Sequence, residues 1–254
     1  ECINNLKNMS LAATNFASGR SGKLPQIDEG NYNNSWAVAL LPSLDNNAIA
    51  RDIKGRLSTV TVNGTDYTLA SPSRDTWLKI FTCPDDDKND RVVWGLTYKA
   101  NRGYGGISGT LAKSAGVFFR TGTVMTLDFI EQGDGMTQTI MFGEQTRRGN
   151  LISALGVTPS VDNSTNPPTT TFSNSPTDDT YFSIDLARLV DSSGSTVGLA
   201  SGSLAIPSTV ASIGTNMINV GPNDGLGVSS NHAGVVHVAF CDGRAQGISE
   251  SINF

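Results

Sequence analysis

The sequence predicts a mixed domain of the α+β class. Three observations carry that reading: an amphipathic helical stripe at the N-terminal end, a β-hairpin signature in the first third, and a second hairpin close to the C-terminus. The stripe runs Cys2, Leu6, Met9, Ala13 and Phe16, spaced 4, 3, 4 and 3, which sets these side chains on one face of a helix over residues 1–18. Asn5, Asn8 and Asn15 fall outside it, and Gly19 and Gly22 are placed to end it. No capping residue precedes the stripe, so the helix is expected to continue upstream.

A Gly- and Asn-rich loop over 19–34 follows. Asn34 or Ser35 would cap a short helix over 36–41, which Pro42 bends or ends. Residues 59–69 alternate β-branched residues around Asn63-Gly64, a pair suited to a two-residue turn with positive φ at both positions. Residues 101–110 read as an irregular loop, and 117–119 and 139–142 as strands. Residues 156–180 are dominated by Ser, Thr, Asn and Pro and read as a surface excursion. Residues 192–223 carry no charge and are expected in a core or against a neighbouring molecule. Val235–Phe240 is a strand, with Val236, Val238 and Phe240 on one face and Val235, His237 and Ala239 on the other; Asp242-Gly243 then turns the chain into a partner over 244–249.

Composition narrows the function. Only 16% of the 254 residues are charged, against about 25% in ordinary globular domains. Ser, Thr and Asn replace them, which suits an exported, extracellular or cell-surface protein. The net charge of −5 and the lack of clustered Lys and Arg exclude a nucleic-acid partner. No run of about 18 apolar residues is present. Three cysteines, Cys2, Cys83 and Cys241, allow one disulfide and one spare thiol, with the pairing open at this level.

No catalytic constellation stands out. A triad would join His232 with Ser229, Ser230 or Asp242, yet no Gly-x-Ser-x-Gly elbow exists. His232 is read as a loop residue fixing the entry to the final hairpin, and His237 as exposed or interfacial. Zinc at the two histidines would have to be reached from opposite faces of an extended segment. Glu144 and Asp134 are read as cap and turn residues. Asp85, Asp87 and Asn89 begin like a helix-loop-helix calcium loop, but positions six and twelve hold Asp90 and Leu96, so that motif fails. A looser calcium cage from Asp85, Asp86, Asp87 and Asp90 is the one metal candidate; no other cofactor is expected. Asn8, Asn33, Asn63 and Asn163 open Asn-x-Ser/Thr sequons, candidates for glycosylation. Trp36, Trp77 and Trp94 would be the stacking faces of a sugar-binding cleft or, alternatively, ordinary core.

Six segments stand out in chain order: Cys2-Ile3-Asn4-Asn5-Leu6-Lys7, Ser35 to Pro42, Cys83-Pro84-Asp85-Asp86, Thr97 to Asn101, Gly116 to Phe119 and Asp134 to Glu144. Together they resemble a group of planctomycete pilin-like proteins that have a prepilin-type leader, a domain of unknown function and a His-x9-Asp-Gly signature. His232, Asp242 and Gly243 complete the signature, in a structural role, with Cys241 where the group has Ala. The resemblance spans 1–145 and 229–254; residues 146–228 match nothing in the group and form a variable, loop- and strand-rich insertion. It implies a pilin-like fold: residues 1–18 as the lower part of a pilin-type helix and 19–254 as a head built on an antiparallel sheet. It also implies a Cys2–Cys83 disulfide, an upstream helix that contacts the membrane, and self-association into a homopolymer, the structural subunit of a type IV pilus-like filament or pseudopilus, not an enzyme. The rival expectation is a surface-anchored glycan- or solute-binding module that does not polymerise.

Overall fold

In the computed structural model, backbone and side chains are described for residues 1–27, 35–53, 76–87, 90–92, 95–103, 113, 116–119, 123–146 and 227–251, with the backbone alone at 54–55, 104 and the strands within 57–70 and 158–213. Helix α1 spans Cys2–Ser18 and buries the expected stripe: Cys2, Leu6, Met9 and Ala13 are inside, and Phe16 packs at the margin. The Arg20 guanidinium lies 4.3 Å above the Phe16 ring and shields it. At the other end, Lys79 Nζ meets Glu1 Oε1 at 2.9 Å.

Ser35, not Asn34, starts the next helix, its hydroxyl accepting from the Val38 N–H at 3.3 Å. Helix α2, Trp36–Leu40, is buried throughout, and a 3-10 turn at Leu41–Leu44 carries Pro42 in its first turn. Helix α3 covers Asn47–Gly55. The first hairpin pairs β1, Leu57–Val62, with β2, Thr65–Ala70, in antiparallel register; Val62 faces Thr65, so two residues separate the strands as the Asn63-Gly64 pair requires.

The main sheet is assembled from β3 (Tyr98–Tyr104), β4 (Ile140–Glu144), β10 (Val235–Phe240) and β11 (Ala245–Ser249), all antiparallel in the order β11-β10-β4-β3. A fifth strand, β7 (Tyr181–Ile184), extends this sheet parallel to β3. Residues within 146–228 thus supply an edge of this sheet. Two further strand pairs within 146–228, β5–β6 (Thr158–Asp162 with Thr169–Ser173) and β8–β9 (Leu189–Asp191 with Val210–Ile213), form separate two-stranded sheets among the described residues. Helix α4 is Leu127–Gln132, capped by the Thr126 hydroxyl.

Helix α1 lies on β10, β4 and β11, giving the predicted helix-on-antiparallel-sheet arrangement. An aromatic knot fills the space beneath α2: the Trp36 ring lies 4.9 Å from Phe142, 6.1 Å from Phe81 and 6.2 Å from Phe118, with Phe118 and Phe142 at 5.2 Å. Ring pairs at these spacings contribute beyond their buried area.

Two expectations are corrected. Residues 116–119 do not form a strand. Val117 and Phe118 both donate to the Asn101 carbonyl, and Ile27 donates to that of Phe119, so the segment meets β3 near its middle without pairing along it. Gly116 makes this approach feasible, because a Cβ there would stand 2.3 Å from the Arg102 carbonyl oxygen. Residues 101–104, read as loop, continue β3.

Candidate functional site: a disulfide joint beneath two histidines

Cys2 opens α1 and Cys83 opens the turn that leads to the acidic loop; the two are joined by a disulfide across a Cα–Cα distance of 5.3 Å. Both cysteines are buried. The turn is held from behind. The Cys83 N–H donates to Thr97 Oγ1 at 3.1 Å, and that hydroxyl donates to the buried Asp86 carboxylate at 2.7 Å. Asn5, one turn along α1 from Cys2, is inside as well, contrary to its place off the stripe. Its amide donates to the Lys79 and Thr82 carbonyls and reaches the Tyr98 hydroxyl at 3.3 Å. Burial drives the Tyr98 phenol far above its ordinary range, the Asn5 hydrogen bond opposes the shift, and the Glu144 charge adds to it.

Beyond β4 the chain continues into a second set of pairings. Gln145 N–H donates to the Thr97 carbonyl and Ser229 N–H to that of Glu144. Asn231 then reaches the acidic loop, donating to the Asp85 carbonyl at 2.8 Å and to Asp87 Oδ1 at 3.3 Å. These anchors set His232 directly over the disulfide. Its Nδ1 lies 2.8 Å from Asp85 Oδ2, and its Nε2 lies 3.4 Å from Cys83 Sγ and 3.5 Å from Glu144 Oε1. Glu144, the last residue of β4 and only 1% exposed, is no helix cap. Its Oε2 accepts the His237 backbone N–H at 3.0 Å, and both of its oxygens lie 3.1 Å from His237 Nδ1.

The two imidazoles are therefore neighbours, with ring centres 4.4 Å apart and planes at 69°, and not on opposite faces. Residues 231–234 bend ahead of β10, which swings the His232 ring back beside His237. His237 is partly buried, not exposed. The result is a line of groups, Asp85, His232, Glu144 and His237, along one side of a disulfide. Among the described residues, the one group of His, Cys, Asp and Glu whose ligand atoms converge is Cys2, Cys83, Glu144 and His232, all within 4.8 Å of one another.

The four acidic-loop carboxylates do not converge in this way. Asp85 turns to His232, Asp86 to Thr97, Asp87 to Asn231 and Asp90 to Arg91 Nε at 3.7 Å. Asp242 caps its own turn, accepting the Arg244 N–H at 2.9 Å, and Gly243 has the positive φ of 88° that the turn needs. Ser229 Oγ is engaged with Thr146, and Ser230 Oγ accepts the backbone N–H of His232. Asn8 is exposed on α1, while Ser10 of its sequon is buried and donates to the Phe240 carbonyl at 2.6 Å. Asn33, Asn63 and Asn163 lie outside the described residues. Trp36 is core; Trp77 is half-buried and donates to Thr82 Oγ1 at 2.9 Å; Trp94 lies outside the described residues. Sequence reasoning missed Glu144, His237 and Asn5. The first two meet because Val238 pairs with Gly143, which sets His237 opposite Glu144, a register that no sequence signal fixed.

Fold and site together define an α+β protein in which a disulfide, flanked by a partly buried His-Glu cluster, ties an N-terminal helix to a domain built on an antiparallel sheet. The chain belongs to the family described as protein of unknown function (DUF1559), short label SBP_bac_10, whose profile matches residues 1–254. No curated protein and no solved structure matches it.

Proposed function

We propose that this protein is a structural subunit, exported to the cell surface, that assembles into a type IV pilus-like filament or pseudopilus through its N-terminal helix. The observation that supports this reading best is the two-sided character of α1. Its inner stripe is buried and its first turn is stapled to the sheet domain, while its outer side presents Ile3 (38% exposed), Lys7 and Leu11 (44% exposed) at helical spacing. A helix held along one face, with two large apolar side chains exposed among polar ones on the other, can transmit packing between copies, and the disulfide suits an oxidising compartment. In this reading, a membrane-contacting helical segment precedes Glu1, and the sheet domain faces outward. No catalytic step is part of it.

The experiment is electron microscopy of native assemblies together with light scattering of the chain carrying its upstream segment. Filaments or short rods are expected for the wild type, with assembly lost in Ile3→Glu and Leu11→Glu while the melting temperature holds. A monodisperse wild-type monomer, or variants that polymerise as well as wild type, would overturn the proposal. The family label favours a second reading, a surface-anchored glycan- or solute-binding module; that reading predicts a monomer whose melting temperature rises with glycan or solute.

A further inference from the structure

We propose that Cys2, Cys83, His232 and Glu144 form a zinc site when the Cys2–Cys83 bond is reduced, so that disulfide and metal are alternative closures of one joint. The ligand set is that of a closed tetrahedral site: two thiolates, an imidazole nitrogen and a carboxylate oxygen. A tetrahedron built on ordinary zinc–sulfur, zinc–nitrogen and zinc–oxygen bonds has edges of about 3.3–3.8 Å. His232 Nε2 already stands 3.4 Å from Cys83 Sγ and 3.5 Å from Glu144 Oε1, and all four ligand atoms lie within 4.8 Å of one another. Closing the site requires the two sulfurs to separate to the length of such an edge, which reduction permits.

A second observation comes from hydrogen bonding. The 2.8 Å contact to Asp85 draws the His232 ring proton to Nδ1, and the Nε2 lone pair of that tautomer then points at a sulfur and a carboxylate oxygen. Three electron-rich atoms facing a common point suit a cation. Asp85 and His237 are positioning residues: one orients the imidazole, and the other, by ring and backbone N–H, orients the carboxylate. Metal sites are commonly braced by such partners. The four ligands come from four separate segments: the start of α1, the 83–86 turn, the end of β4 and the loop before β10. A zinc ion would tie together the same elements as the disulfide.

The chemistry balances. The S–S bond accepts two electrons and two protons from a dithiol reductant, which becomes a disulfide; zinc(II) then displaces the two thiol protons to solvent. In the oxidised chain the sulfurs are spent on each other.

The test uses the 254-residue chain, reduced with dithiothreitol, desalted without oxygen and titrated with cobalt(II), then zinc(II). One equivalent of cobalt should give thiolate-to-metal charge-transfer absorption and the strong visible absorption of tetrahedral cobalt, both abolished by zinc. The oxidised chain should give neither. His232→Ala and Glu144→Gln should weaken binding at least about tenfold, and Asp85→Asn, which removes no ligand, by about 10–100-fold; Cys241→Ala should change nothing. If reduction costs helical circular dichroism, zinc should restore it, since ligand binding and folding are then one equilibrium. Absence of the charge-transfer absorption, unchanged affinity in His232→Ala and Glu144→Gln, or helix loss that zinc does not reverse would each overturn the proposal.

Discussion

Trp36 touches three other aromatic rings and has no exposed surface. Truncating such a side chain removes its transfer energy and leaves a cavity that packed rings cannot collapse into. Trp36→Ala should therefore cost about 3–5 kcal/mol, measured by urea denaturation; a loss near 1 kcal/mol would mean that the knot repacks. Cys241 shows a different effect of burial. Desolvation, with the Asp242 charge adding, pushes its thiol from 9.0 up to about 12. The native thiol should consequently resist alkylation at neutral pH and react only on unfolding.

At the scale of elements, the decisive link is between α1 and the 83–86 turn. The disulfide closes a loop with a sequence separation of 81 residues. On the chain-entropy account, a loop of this size is worth about 4 kcal/mol. The Cys2→Ser/Cys83→Ser double variant should lose about that much in denaturant titration with metal chelated, and its earliest opening should be α1 leaving the sheet, seen as faster amide exchange along Leu6–Ala17. Exchange that rises first in β10 and β4 would show that the joint matters less to α1 than the geometry indicates. The Asn5 amide, spread over two carbonyls and a phenol, explains why the first turn is held even beside the bond itself.

For the whole molecule, stability should fall in alkali. Cys241 and Tyr98 both have folded-state ionisations raised above their unfolded values of 9.0 and 10.0. The sign is fixed: below pH 9.0 both states keep the protons and the contribution is complete. Above it the unfolded chain ionises first, so stability declines as pH rises through the window from 9.0 to about 12. The slope approaches about 1.4 kcal/mol per pH unit for each group. Denaturant titrations at successive pH values should show the decline, and Cys241→Ala should flatten its first part. A flat profile would contradict the buried placement of the thiol.

What was legible from the chain was whatever is periodic or local. The 4, 3, 4, 3 spacing set the α1 stripe, Asn63-Gly64 and Asp242-Gly243 set the hairpins, and alternation set β10, because helix and strand periods and turn chemistry act over a few residues. The Cys2–Cys83 pairing was legible only through resemblance. Tertiary structure alone decided the rest. Glu144 faces His237 because two strands pair in a particular register, and His232 joins them because the chain bends before β10. Gly116 sits against the Arg102 backbone because a segment without strand pairing meets β3. Asn5 is buried because α1 meets the 79–82 turn at that point. Such convergences depend on the directions of side chains from segments far apart in sequence, and no local rule of spacing or propensity encodes those directions.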